Sequence, residues 1–424
     1  MSARAGVGVS ENTDSLEAGR EAARLAWQQF GTGQPASTDA VTGAVAPPVF
    51  AFVFATSRLD APVLTRGIRD VLGPELPLFG AHANGVISNE YIGYDGFQVA
   101  VALVGGDNIQ TDFIAHQGIA FAEHNAGAAI GRMVRDSALA QIGPYSLVFL
   151  YDSVNRTKGR LVLNLATPLI DGMKEHLDTW PPTVGARVLG DMKFSPTYQW
   201  AGTELYRDAA VGLILGGTVH LDTAIMHGCR PTSAYHTVTR SEGPQVLELD
   251  GRPALSVVGE ILGPDLCDDY EKYKFFVTLG INYGEKWAPY QEEHYANRMC
   301  VGVVPDKQSL VFTEPIAPGT EVQLMRRNFE LDYNRHKANS LIEQVLQSGR
   351  TPFLALYINC AGRAASYYGS DEEEAAYVQA AIDNRFPLIG AYEAGEIAAV
   401  NGQMQILDWT GVLTILSFEE TKAE

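Results

Sequence analysis

Three stretches of the chain gather residue types that can do chemistry. The run Asn359-Cys360-Ala361-Gly362-Arg363 supplies an amide, a thiol and a guanidinium. The run from Tyr392 to Glu396 adds a phenol and two carboxylates, Glu393 and Glu396. The run His227-Gly228-Cys229-Arg230-Pro231 sets a thiol beside an arginine and two residues from an imidazole. An arginine fork grips a carboxylate through two parallel hydrogen bonds. Paired acids attract an ammonium group by charge complementarity. Together these suit an amino-acid-like or other polar metabolite, with Cys229 and Arg230 facing it. So many polar groups converging on one spot are costly as plain core, which favours a site. A thiol beside a cation can be reactive; a free cysteine is as readily buried and inert.

Such groups need elements to position them. Three segments share one pattern: an apolar strand, a polar turn with an arginine, a helix, and a second strand closing in G-A-x-x-x-G. The first strands cover 49–58, 146–156 and 353–363, and their turn arginines are Arg58, Arg156 and Arg363. The closures run from Gly80, Gly185 and Gly390 to Gly85, Gly190 and Gly395. Strand-like runs follow at 97–104, 209–216 and 412–418, and helical stretches precede at 14–30, 118–140 and 329–349. This is the grammar of an internal repeat. The matching turns offer His82 and Asn84 in the first copy, and Asp152, Arg187 and Asp191 in the second. Helix N-termini beside these turns favour anions, and the glycines let backbone approach a ligand or simply serve tight turns. A site joining the first and third copies requires Gly85 and Gly395 to lie together.

Residues 1–11 read as a loose tail and 31–48 as a loop. An insert at 219–320 carries strands and a short helix at 253–262. The expected fold class is mixed α/β (α+β): three pseudo-repeated helix-strand-helix-strand units, each followed by antiparallel strands, packed into two domains.

Composition narrows the function. The chain has 424 residues, of which 46% are hydrophobic, enough for two or three domains with a sizeable core. A net charge of −19 disfavours nucleic acid and anionic membrane as partners. The four cysteines, Cys229, Cys267, Cys300 and Cys360, form no C-x-x-C pair, which argues against a zinc knuckle and suits a reducing compartment. The start lacks a secretory apolar core, and no apolar run nears the ~20 residues that span a bilayer, so the expected location is cytoplasmic. No nucleophile elbow, H-E-x-x-H, phosphate loop or dinucleotide fingerprint occurs, which removes the common enzyme classes. The scattered histidines leave no multidentate metal site, though a single imidazole from His82, His220 or His227 could ligate a haem iron.

The run GCRPTSAYHTVTRSEGPQVLELDGRPAL (228–255) resembles the end of the FIST N-terminal domain. The run NCAGRAASYYG with FPLIGAYEAGEIA (359–398) is similar to the FIST C-terminal domain. FGAHANGVIS (79–88) resembles the G-C-S-T-x-G-E-I segment, with Ala81 and His82 where Cys and Ser are usual and Val86 in place of the Glu. The resemblance covers about 45–420. It implies a tail and helix at 1–44, a FIST N-terminal domain at 45–256 and a FIST C-terminal domain at 257–424. It also implies a small-molecule sensor of signal transduction, acting beside histidine kinases, cyclic-dinucleotide enzymes or chemoreceptors; some bacterial members look like haem-based nitric oxide sensors. The expectation is therefore a ligand-binding sensor without a cofactor, signalling through a separate partner. Its ligand set is His82, Asn84, Asp191, Cys229, Arg230, Asn359, Cys360, Arg363, Tyr392, Glu393 and Glu396. Two alternatives stay open: a haem-bound nitric oxide sensor, and an enzyme with Cys229 or Cys360 as nucleophile.

Overall fold

A computed structural model describes residues 3–32, 47–107, 109–157, 160–263, 269–270, 274–327, 330 and 332–419. Cys267, the Arg156 side chain and most of the 31–48 loop lie outside the described residues.

Three six-stranded sheets form the body. The first runs β1 (Arg4–Ser10), β6 (Val99–Gly105), β2 (Pro48–Ala55), β3 (Leu78–His82), β12 (Gln199–Gly202), β13 (Glu204–Tyr206). The second runs β7 (Ile109–Gln117), β14 (Ala209–Gly217), β8 (Ser146–Asp152), β11 (Thr183–Val188), β26 (Gly395–Val400), β27 (Gln403–Leu407). The third runs β15 (Val219–Met226), β28 (Gly411–Glu419), β24 (Arg350–Cys360), β25 (Leu388–Glu393), β4 (Gly85–Ser88), β5 (Ile92–Tyr94). In each, the two strands around the crossover helix are parallel, and the other neighbours are antiparallel.

The last two strands of every sheet come from another segment of the chain. The β4–β5 hairpin leaves the first segment for the third sheet. The β12–β13 hairpin leaves the second for the first, and β26–β27 leaves the third for the second. The exchange closes a ring of three, and each transfer begins at a G-A-x-x-x-G closure.

The parallel strands are apolar on both faces because both are covered. Phe50, Phe52, Phe54, Val148, Leu150, Leu356 and Ile358 meet in one interior shared by the three sheets. The opposite faces take helix pairs: α1 (Ser15–Thr32) with α2 (Ala61–Leu72), α3 (Glu123–Asp136) with α5 (Ala166–Lys174), and α7 (Asp332–Gln347) with α9 (Glu374–Ile382). Short helices α4 (Ala138–Ile142) and α8 (Ala365–Tyr368) lie between. On α1, Ala18, Ala22, Ala26 and Phe30 recur every fourth residue and are buried, which is the stripe a sheet needs.

The first glycine of each closure has a structural duty. A Cβ on Gly80, Gly185 or Gly390 would stand 1.9, 2.1 or 2.4 Å from the carbonyl oxygen of Val53, Phe149 or Tyr357 on the parallel neighbour. These glycines admit a neighbouring strand.

Residues 4–10, expected as a loose tail, pair with β6 over their full length. The apolar stretch at the start of the expected insert, β15, is an edge strand of the third sheet. The rest of the insert, together with β23 just beyond it, forms a closed six-stranded barrel. Its strands run β23 (Glu321–Arg327), β17 (His236–Glu242), β18 (Gln245–Leu249), β22 (Ser309–Phe312), β21 (Tyr295–Val304), β20 (Thr278–Asn282) and back to β23. Helix α6 (Ala254–Leu262) packs Leu255 and Val258 into the barrel's apolar core. Short strands β16 (Cys229–Pro231) and β19 (Arg252–Pro253) flank it, and β9 (Val154–Thr157) with β10 (Arg160–Leu163) forms a separate hairpin. No described helix is long and apolar enough to cross a membrane.

Candidate functional site

In α/β sheets the carboxyl ends of parallel strands are where loops converge on ligands. Here β24 and β25 end side by side, with Asn359 opposite Tyr392 and Cys360 opposite Glu393. Alternation along the strands divides these residues. Cys360 and Glu393 continue the face of Ile358 and Ala391, toward the shared interior. Asn359 and Tyr392 continue the face of Tyr357, toward the helices.

The region is crowded with polar atoms that the protein itself leaves unanswered. The Tyr357 hydroxyl, both polar atoms of Asn359, Oδ1 of Asp408 and Nε1 of Trp409 are buried without a partner. Neither oxygen of Glu396 makes a well-formed hydrogen bond. Native interiors leave few such groups, so a cluster of them requires an explanation. Gly411 marks one convergence point: a Cβ there would lie 2.5 Å from the Tyr357 hydroxyl and 3.1 Å from Asn359 Oδ1. Burial holds the Glu396 carboxyl well above the usual carboxylate range; Arg363 pulls it down and Asp408 pushes it further up. Burial also raises Asp408, against the pull of Arg187 and of its bond from Thr313.

Both terminal nitrogens of Arg363 are engaged within the chain, while its Nε is buried without a partner. It pairs with Glu374 at 2.5 Å and donates to the carbonyls of Met226 and Trp409 and to Asn334 Oδ1. Glu374 is shared with Arg327 from the barrel. An acid at the start of α9 thus already holds the guanidinium that was expected to grip a ligand carboxylate.

The other expected residues divide among several places. The Tyr392 hydroxyl donates to Glu373 at 3.0 Å, beside Tyr94, which donates to the other oxygen of Glu373 at 2.6 Å. Asn84 donates to the Tyr367 hydroxyl at 3.1 Å, and its backbone amide bonds the Tyr392 carbonyl at 2.9 Å. Gly85 is registered opposite Tyr392 in the third sheet, whereas Gly395 opens β26 opposite Arg187 in the second. Glu393 points elsewhere and accepts the Leu189 amide at 2.6 Å. Asp191 ties down its own turn, accepting the amides of Lys193 and Ser195 and the Ser57 hydroxyl. Arg230 is exposed and lies over the Tyr290 ring, 5.6 Å from its centroid, rather than turned into the cluster.

The three histidines considered for a haem differ in their surroundings, and both ring nitrogens of His82 are buried without a partner. His82 is wedged edge-on between Tyr198 and Trp200, at centroid distances of 5.6 and 5.8 Å, a packing that a macrocycle would have to displace. Burial lowers its pKa to about 4. Both ring nitrogens of His227 are engaged, one by the Cys229 amide and one at the Glu292 carbonyl. His220 sits on an edge strand, 3.7 Å from Glu419.

The thiols are poorly placed for nucleophilic attack. Burial pushes Cys229 up to about 11 and Cys360 up to about 12, the latter helped by Glu396 and Asp408. The Cys229 thiol donates to the His227 carbonyl, and the imidazole nitrogen that could take its proton already accepts a backbone amide. At neutral pH a thiol of this kind is thiolate in roughly one molecule in ten thousand or fewer. Iodoacetamide should accordingly leave Cys229 and Cys360 unmodified in the native protein and modify both after denaturation. Fast native labelling of either would mark that cysteine as a nucleophile.

Sequence reasoning missed Tyr357, Asp408, Trp409 and Glu374. The one signal available was the D-W-T-G run ahead of the last strand, in which Gly411 packs against Asn359 and Tyr357.

The uncharacterized protein Rv0628c of Mycobacterium tuberculosis is 24% identical over 421 residues, covering 97% of this chain and 99% of its own. The uncharacterized protein Mb0898c of Mycobacterium bovis is 24% identical over 423 residues, covering 97% and 98%. The uncharacterized protein MJ1623 of Methanocaldococcus jannaschii is 25% identical over 211 residues, covering 46% of this chain and 39% of its own. The FIST N domain matches residues 49–252 and the FIST C domain residues 254–399. With both domains matched in order across most of its length, the chain belongs to the FIST family of small-ligand-binding sensor modules of signal transduction.

Proposed function

We propose that the chain senses a small polar metabolite bearing an amine, an amino acid or a close relative, seated at the carboxyl ends of β24 and β25. The buried, unanswered polar atoms of Tyr357, Asn359, Glu396, Asp408 and Trp409 carry this reading. The carboxyl oxygens of Glu396 and Asp408 and the Asn359 carbonyl accept hydrogen bonds, and both terminal nitrogens of the nearest guanidinium are already engaged, so the ligand must chiefly donate to this side. An ammonium group meets that demand and would draw the proton off Glu396 as it binds. Asn359 and the Trp409 indole would orient the ligand's own acceptors. The signal then passes to a separate protein, such as a histidine kinase or a cyclic-dinucleotide enzyme.

The test is a thermal-shift screen of the full chain against amino acids and small amines, with Asn359→Ala beside it. At least one compound should raise the melting temperature of the parent chain, and the variant should bind it roughly tenfold more weakly. Equal shifts in both proteins would remove Asn359 from the site.

A further inference from the structure

The three crossover helices begin in different ways. Helix α2 follows Asp60, whose carboxylate accepts the Val63 amide at 2.9 Å. Helix α9 opens with its own acid, Glu374. Helix α5 follows Leu165, which offers no side-chain cap. Its carboxylate arrives from the barrel instead: the two oxygens of Glu314 accept the amides of Ala166 and Thr167, each at 2.9 Å. On its other side Glu314 pairs with Arg187, which is fully buried and donates in turn to the Tyr151 hydroxyl at 2.8 Å.

This is how proteins hold a free carboxylate, with helix-terminal amides and a guanidinium together. Here the occupant belongs to the chain. The neighbouring barrel residues grip the same side of the body. Thr313 donates to Asp408, and the Met299 amide donates to Asp408 at 3.0 Å. Arg298 donates to the Ile406 carbonyl at 2.6 Å.

We infer that Glu314 is a latch: an internal carboxylate ligand that fastens the barrel to the second sheet and caps α5, so that release of the barrel and opening of the first turn of α5 are one event. The contact adjoins Asp408, so a ligand there would be felt by the barrel; that consequence alone rests on the function proposed above.

Hydrogen exchange read by mass spectrometry on the full chain tests the latch. Glu314→Ala should speed exchange roughly tenfold or more in two places together, residues 166–170 and the barrel seam at 298–300 and 405–408, while strands β2 and β24 keep their protection. Added acetate, against chloride at equal ionic strength, should restore protection in both places by refilling the slot. Exchange gained only at 166–170, or no rescue by acetate, would reduce Glu314 to a local cap and overturn the latch. If Glu314→Ala fails to fold, the parent chain still decides the matter. The Ala166, Thr167 and Met299 amides should then open with the same protection and the same denaturant dependence, and unequal values overturn the inference.

Discussion

Arg363→Ala is expected to destabilise the chain by about 3 kcal/mol, the scale for breaking a buried pair by removing one partner. The guanidinium answers Glu374, two carbonyls and Asn334 in an interior where it is 1% exposed. Arg327 remains to share Glu374, which keeps the loss from being larger. Arg363→Lys should recover less than half, since an ammonium cannot reproduce the planar fork that reaches Met226, Trp409 and Glu374 together. Urea unfolding followed by tryptophan fluorescence reads the effect. A variant as stable as the parent would mean that the fork is not structural and would return Arg363 to the ligand.

Glu396→Leu should have the opposite sign. Its carboxyl is fully buried and poorly bonded, so an apolar side chain of similar size is expected to stabilise the chain by about 1–2 kcal/mol while abolishing ligand binding. Functional sites commonly carry such a stability cost. The pH dependence gives a second signature. The folded carboxyl titrates well above the unfolded value of 4.5, so the folded state holds its proton where the unfolded state has lost it. This group's contribution to stability therefore falls as pH rises above the ordinary carboxylate range. The advantage of Glu396→Leu should grow over the same interval and shrink in acid. A pH-independent difference would place the carboxyl in contact with solvent or a cation.

These two residues show what the sequence disclosed. Asn359, Arg363 and Glu396 stood out by type and spacing, and they do border one buried polar region. Their roles were not legible. Arg363 is paired with Glu374, eleven residues on, and nothing local distinguishes that acid from any other at a helix start. Asp408 and Trp409 join from a strand connection, and Glu314 from the barrel, so each depends on a contact far along the chain.

The fold divides in the same way. The apolar runs at β2, β8 and β24, with their helices and parallel partners, could be read directly because both faces are buried. The exchange of hairpins could not, since β4, β12 and β26 would show the same local pattern in either sheet. The strand at 4–10 was hidden by its small residues, with Gly6 and Gly8 fitting closely beneath α1. Closure of the barrel depends on β20 meeting β23 at long range, which alternation does not encode.

Glu396 and its neighbours are expected to bind a small amine-bearing metabolite. The most direct test is the binding of an amino acid and amine library to the parent chain and to Glu396→Leu, by thermal shift and then calorimetry. A compound that binds the parent, releases a proton as it does so, and fails to bind the variant is the expected result. Binding that is equal in both proteins, or a parent chain that none of the amines stabilises, would contradict it.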